Sequence, residues 1–239
     1  MTIKEALSRL IFKIKVYSRA GVFSIHKNIQ KEIIQNFHRL YYDKGVLGGT
    51  WNDTKFLGVS TQKCPLDLFI YQEILFNIKP DLIIETGTAG GGGAYFLASI
   101  CELMNHGEVV TVDINNIAVS PKHKRIKYLF GSSTSQNILS QIEKLVKENM
   151  KVMVILDSNH SKQHVLQELN LYSKFVSVGS YLIVEDTNVN NHPVYGEHGD
   201  GPMEAVEEFL KSNKQFKVDK SCEKHYLTFN PNGYLQRIV

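Results

Sequence analysis

Leu82-Ile-Ile-Glu-Thr-Gly-Thr-Ala-Gly-Gly-Gly-Gly93 is the stretch on which the fold turns. A short apolar run between Asp81 and Glu85 reads as a buried strand. The glycines that follow form a turn, and Ala94 to Met104 shows helical spacing. The same unit then recurs. Val109–Val112 ends at Asp113, Ile126–Phe130 at Gly131-Ser132-Ser133, Val152–Leu156 at Asp157, and Tyr181–Val184 at Glu185-Asp186. Helical patterns over about 135–148, 163–175 and 203–210 lie between or after these runs. Phe216–Val218 and Tyr226–Phe229 read as two final strands. Apolar strands alternating with helices predict an α/β, doubly wound, Rossmann-like sheet, mostly parallel and covered on both faces. In such sheets ligands bind beyond the carboxyl ends of the strands, so the functional residues are expected in those five terminal clusters.

Upstream the pattern is different. Ile3, Leu7, Leu10, Ile11 and Ile14 recur among Lys4, Arg9, Lys13, Lys15 and Arg19, which predicts a basic amphipathic helix over 2–19, ended by Ala20-Gly21. A second helix is expected over 25–42. Pro65 suits the first turn of a third, running to about Ile78. The organisation expected is a helical extension over 1–62 and a catalytic domain over 63–239. The chain has 239 residues and a formal charge of +3. Residues 1–50 hold nine Lys/Arg against three acids, so the front carries +6 and the remainder −3. An acidic body argues against nucleic-acid binding. Three scattered cysteines without CxxC spacing fit a reducing cytoplasm and neither a disulfide scaffold nor a structural zinc. No apolar run reaches the ~18 residues of a membrane span, and no signal peptide is recognisable.

Four consecutive glycines exceed what a tight turn needs and are read as a ligand cradle, with helix N–H groups aimed at the ligand. The dinucleotide fingerprint G-x-G-x-x-G is imperfect here, because Ala89 follows Gly87 two residues on. Glu85 would repel a pyrophosphate and suits a cationic ligand. Glu85-x-Gly87-x-x-x-Gly91 resembles the first motif of S-adenosylmethionine-dependent methyltransferases. The expected cofactor contacts are therefore Glu85, Gly87, Thr88, Ala89 and Gly91, with Asp113 on the ribose hydroxyls and Gly131, Ser132 and Ser133 beside the adenine. Asp157 adjoins this set.

Asp157, Glu185 and Asp186 end neighbouring strands if the order holds. Three close carboxylates raise one another's pKa, and a hard divalent cation resolves the repulsion; all-oxygen ligation suits Mg²⁺. The bland alternative is a helix cap at Asp157 and an Asx-turn at Asp186. His160, three residues after Asp157, is placed to take a proton from a metal-bound hydroxyl. His164 is a weaker candidate. His192 and His198 lie in the long loop 187–201, which reads as a substrate lid.

Further motifs then align. Val154-Ile-Leu-Asp-Ser-Asn-His-Ser161, Leu182-Ile-Val-Glu-Asp-Thr187, Gly201-Pro-Met-Glu-Ala-Val206, Lys224-His-Tyr-Leu-Thr-Phe-Asn-Pro-Asn-Gly-Tyr234 and the lead-in Lys63-Cys-Pro-Leu-Asp-Leu-Phe-Ile-Tyr-Gln-Glu73, with the glycine motif, resemble the cephalosporin hydroxylase / rhamnosyl O-methyltransferase family over about residues 45–239. The resemblance implies a class I methyltransferase fold of seven strands with the last antiparallel, S-adenosylmethionine, and Mg²⁺ on Asp157, Glu185 and Asp186. Related macrolide-sugar enzymes place their base three residues after the first metal acid, which is His160 here; catechol O-methyltransferase has a lysine there, and an Asn in place of Asp186. Hydroxylation would need a redox metal or flavin, and the oxygen-only cluster offers no facial triad. The expected activity is O-methylation of a sugar or other polar acceptor. The alternatives are a hydroxylase or dinucleotide oxidoreductase and a non-catalytic adenosine-ligand module. Two readings fit the front end: a cap or homo-oligomer interface, and a helix 2–19 resting on an anionic membrane surface.

Overall fold

The computed structural model describes residues 3–115 and 121–239. It divides into two compact units, Met1–Leu40 and Tyr41–Val239. Helix α1 (Ile3–Ile25) runs through Gly21, where the sequence reading ended it, and α2 spans Lys27–Val46. A lone glycine inside a helix costs only about 1 kcal/mol and breaks nothing by itself. The expected domain boundary at 62/63 differs from the observed division after Leu40. Tyr41, Tyr42 and Trp51 pack on the buried side chains of Cys64, Leu227 and Phe229, which ties the 41–62 segment to the second unit.

That unit is built on a seven-stranded sheet. Its strands are β3 (Leu82–Thr86), β4 (Glu108–Asp113), β5 (Ile126–Phe130), β6 (Val152–Leu156), β7 (Tyr181–Val184), β8 (Phe216–Val218) and β9 (Tyr234–Arg237), in the order β5-β4-β3-β6-β7-β9-β8. The pairs from β5 across to β7 are parallel, and β9 runs antiparallel to both its neighbours. A short hairpin, β1 (Lys55–Phe56) with β2 (Val59–Ser60), stands apart from it.

Strand alternation explains the layers. Leu82, Ile84, Val110, Val112 and Val154 face a core completed by α5 (Gln136–Leu145), α6 (Lys162–Tyr172) and α7 (Pro202–Ser212). Ile83, Val109, Met153, Ile155 and Ile183 face the opposite core, completed by α3 (Pro65–Ile78) and α4 (Gly92–Leu103). From β3 the sheet grows towards β4 on one side and β6 on the other. The crevice between the carboxyl ends of β3 and β6 is therefore the switch point at which doubly wound sheets bind ligands.

The last strand is not where the apolar pattern put it. Tyr226–Phe229 forms no strand; β9 begins at Tyr234. Buried Asp67 on α3 accounts for the difference: its carboxyl accepts from Thr228 Oγ1 (2.5 Å), Phe229 N–H (2.8 Å) and Tyr234 Oη (2.8 Å). A β-rich sequence is thus held as a loop by a side chain 161 residues upstream. Burial pushes the Asp67 carboxyl up to about 7, against the pull of those three donors. Asp67→Ala should orphan three buried donors and cost roughly 3 kcal/mol or more; urea unfolding of the variant against the parent protein measures this.

Candidate active site

The first turn of α4 and the end of β3 shape the centre of the crevice. Gly87 has φ +86°, and a Cβ there would fall 1.8 Å from the Asp157 carbonyl oxygen. A Cβ on Gly92 would fall 2.1 Å from the Ser60 carbonyl oxygen beside the β1–β2 hairpin. These glycines are needed first by the protein's own close packing. That is the physical reason the run is longer than a turn requires, where the sequence reading assigned it to a ligand alone.

Two clefts meet across this turn, sharing Gly87, Ala89 and Ser158. The first, of about 510 Å³, is lined by Asp113, Asn115, Gly131, Ser132, Ser133 and His164, among others. Asp113 Oδ2 accepts from Ala89 N–H at 3.0 Å and Oδ1 from Asn115 N–H at 2.9 Å, which holds the carboxylate at the end of β4. Thr88 bonds Thr111 Oγ1 at 2.7 Å, and so braces the turn without lining this cleft. His164 Nε2 lies 3.1 Å from Ser158 Oγ and 3.3 Å from Ser133 Oγ, with buried Glu168 behind Ser158. His164 thus serves the first cleft and stands apart from the acid cluster.

The second cleft, of about 350 Å³, contains Lys63, Glu85, Asp157, His160 and Asp186, with Tyr42 and Trp51 on its wall. Asp157 is fixed at the end of β6 by its N–H on the Thr86 carbonyl (3.0 Å). Asp186 takes a left-handed φ of +54°, a conformation Asp tolerates better than most residues, and its N–H bonds Asn230 Oδ1 at 3.1 Å. Its Oδ2 lies 3.4 Å from His160 Nε2, and Asp157 Oδ1 lies 4.0 Å from the same nitrogen. Asp157, His160 and Asp186 offer ligand atoms all within 4.8 Å of one another. Burial alone would lower the His160 pKa; the carboxylates of Asp186, Asp157 and Glu185 outweigh it and raise it. Burial likewise raises Asp157 and Asp186 above the ordinary carboxylate range, with His160 opposing.

Glu185 is close by but differently engaged. Its Oε1 accepts from Lys63 Nζ at 2.5 Å, and the buried Tyr71 of α3 lies near the same carboxylate. Lys63 Nζ also reaches Asp157 Oδ2 at 2.6 Å. Lys63 and Tyr71 were missed as site residues in the sequence. The one available signal was a lysine immediately before the Cys64-Pro65 helix start, in a chain whose acids needed a counter-charge. Tyr42 and Trp51, stacked with ring centroids 5.6 Å apart, were missed as well.

The residues present fit a cationic adenosine cofactor. Glu85 is buried beside the crevice with Oε2 on Thr111 Oγ1, while Oε1 has no hydrogen-bond partner among the described residues. Such an orphaned acceptor suits an ammonium and would repel a phosphate. The donor chemistry also fits Mg²⁺, since Asp157 and Asp186 present carboxylate oxygens to one point. Loop 187–201 is braced more firmly than a lid: Thr187 Oγ1 donates to the Pro231 carbonyl (2.6 Å), Asn188 is fully buried, and Asn190 and His192 both bond Glu204 Oε1. His198 packs edge-on to Tyr195, with ring centroids 5.4 Å apart.

This strand order, with the site at the switch point, is the fold of class I S-adenosylmethionine-dependent methyltransferases. The apo structure of CmcI matches 79% of this chain and 77% of its own at 18% identity and a TM-score of 0.62. The Mg-SAM complex of CmcI matches 79% and 78% at 18% identity and a TM-score of 0.60. The profile of the Rhamnosyl O-methyltransferase/CmcI family matches residues 48–238, and the chain belongs to that family. It is 37% identical over 212 residues to the rhamnosyl O-methyltransferase of Mycobacterium tuberculosis (strain ATCC 25618 / H37Rv), covering 86% of this chain and 85% of the relative. It is 37% identical over 213 residues to that of Mycobacterium leprae (strain TN), covering 86% and 90%.

Asp113→Ala should weaken S-adenosylhomocysteine binding about ten- to a hundredfold, the equivalent of one or two charge-assisted hydrogen bonds. Calorimetric titration checks it; an unchanged affinity would remove Asp113 from the ribose site.

Proposed function

We propose that this chain transfers a methyl group from S-adenosylmethionine to a hydroxyl of a sugar acceptor, with Mg²⁺ as the second cofactor. The observation that carries this reading is the junction of the two clefts. An adenosine-sized space ending at Asp113 and Ser133 opens, past Gly87, onto the Asp157–His160–Asp186 cluster.

In this reading Asp113 holds the ribose hydroxyls, Gly131, Ser132 and Ser133 flank the adenine, and Glu85 Oε1 receives the cofactor's ammonium. Gly87, Thr88, Ala89 and Gly91 form the turn beneath it. Asp157, Glu185 and Asp186 are the acids that hold Mg²⁺, Asp157 and Asp186 facing His160 and Glu185 lying on the Lys63 side. Bound Mg²⁺ supplies Lewis acidity that lowers the pKa of the acceptor hydroxyl. His160 Nε2 takes the hydroxyl proton as the oxygen bonds to the methyl carbon and the carbon–sulfur bond breaks, leaving a neutral thioether. His160 must be neutral to do this, and its neighbouring carboxylates favour its charged form. Sulfonium methyl transfer asks for little beyond alignment and exclusion of water. Tyr42 and Trp51 line this cleft, and aromatic side chains there suit the apolar C–H surface of a sugar ring. The groove continues past Tyr42 to Val46, Leu47 and Tyr195, which lends the acceptor an apolar shelf.

Helix α1 belongs to the other compact unit and reads as a contact surface. Exposed Leu7, Leu10, Phe12 and Ile14 alternate with Lys13, Lys15 and Arg19, a composition suited to an anionic membrane surface. Among the described residues no helix is long and apolar enough to cross a membrane. Deleting residues 1–20 should abolish liposome co-sedimentation; a fall in oligomer size instead would assign the helix to contact with a second copy.

Asp157→Asn should abolish methyl transfer to a rhamnoside while S-adenosylhomocysteine affinity stays within a few-fold of the parent; surviving activity would overturn the metal-assisted reading. His160→Ala should lower kcat by about 10²–10⁴-fold. In the parent enzyme at saturating Mg²⁺, kcat should fall as the pH is lowered and His160 gains its proton. The pH–rate profile of His160→Ala should lack that acid limb.

A further inference from the structure

Among the described residues Lys63 is the buried cation of the acid cluster, His160 being half-buried, and the chemistry above leaves it without a task. Its side chain is 5% exposed. Its ammonium is held between Asp157 Oδ2 at 2.6 Å and Glu185 Oε1 at 2.5 Å, joining the ends of β6 and β7 to the segment that leads into α3. Room for it is built into the fold: a Cβ on Gly93 would lie 2.7 Å from Lys63 Cε and 2.6 Å from Glu85 Oε1, so the first turn of α4 is cut back where the lysine passes. Four buried or half-buried carboxylates, Glu85, Asp157, Glu185 and Asp186, surround two positive groups, Lys63 and His160.

We propose that Lys63 is a positioning residue, a built-in counter-ion that fixes Asp157 and Glu185 so that the acid cluster is assembled by the chain itself and the divalent cation binds as an exchangeable cofactor. This rests on the reading that Mg²⁺ binds at Asp157 and its neighbours. Buried carboxylates without a counter-charge are strongly destabilising, and the lysine offsets two of them at once. The same ammonium repels an arriving dication at short range. It therefore stabilises the cluster before the cation arrives and weakens the cation's hold once bound. Both effects run in one direction: removing the charge makes the fold lean on the metal and the metal bind more tightly.

The test uses Lys63→Met, which keeps an unbranched apolar stem and loses the ammonium with its charge, and Lys63→Arg, which keeps the charge. Mg²⁺ affinity is measured by calorimetry, and unfolding midpoints are measured in EDTA and in saturating Mg²⁺. The parent protein should stay folded in EDTA and gain only the few degrees in Mg²⁺ that binding to the folded state alone requires. Lys63→Met should lose several degrees in EDTA, recover most of them in Mg²⁺, and bind Mg²⁺ about tenfold more tightly. Lys63→Arg should follow the parent in affinity. If Lys63→Met fails to fold in EDTA but folds in Mg²⁺, the metal has replaced the lysine, as proposed. Collapse of the parent in EDTA would overturn the proposal, as would a Lys63→Met affinity that is unchanged or weaker. Mg²⁺ binding and methyl transfer by the parent, with no gain of affinity in Lys63→Met, would sink this proposal alone. Mg²⁺ binding by neither protein would sink the metal reading with it.

Discussion

Electrostatic repulsion at one edge of the sheet is the constraint around which the rest is arranged. Parallel strands that all point one way deliver their terminal residues to one edge, and here those residues include Glu85, Asp113, Asp157, Glu185 and Asp186. Two of the five meet Lys63, which approaches from the segment before α3 and bridges Asp157 and Glu185. Burial on its own would lower the Lys63 pKa, yet the surrounding Asp157, Glu185 and Glu85 carboxylates raise it well above the ordinary value. The lysine is therefore a permanent charge. Gly93 makes way for it, and Asp186 adopts an uncommon backbone angle to face His160 instead.

A division of labour along the crevice follows. On the β4–β5 side the groups are neutral or singly charged and aimed at a ligand with hydroxyls and an aromatic base: Asp113, the two serines, and His164 backed by Ser158 and Glu168. On the β6–β7 side charge is concentrated, in Lys63, Asp157, His160, Glu185 and Asp186. Gly87, lying against the Asp157 backbone, is the hinge between the two, and any side chain there would push the halves apart.

The centre of the sheet was legible because β3, β6 and β7 are fully buried and therefore mostly apolar, each followed by a polar or glycine cluster. Glu85, Asp113, Asp157, Glu185, Asp186 and His160 were legible for the same reason, since position at a strand end predicts position at the site. What escaped notice depends on contacts between distant residues. Lys63 meets partners 94 and 122 residues away, and no local spacing announces that. Tyr226–Phe229 has the composition of a strand, but Asp67 takes up its backbone and hydroxyl donors and leaves pairing to Tyr234–Arg237. The glycine run was credited wholly to a ligand because close approach of the Ser60 and Asp157 backbones cannot be read from neighbours in sequence. The Lys63 ion pair on Glu185 was hidden in the sequence for the same reason.

The most direct measurement is anomalous diffraction from crystals of this protein grown with Mn²⁺, as a stand-in for Mg²⁺, and S-adenosylhomocysteine. The account predicts one anomalous peak bonded to Asp157 and Asp186, beside His160, with the adenosine lying between Asp113 and Ser133. A peak away from these carboxylates, or an adenosine bound outside that cleft, would contradict it.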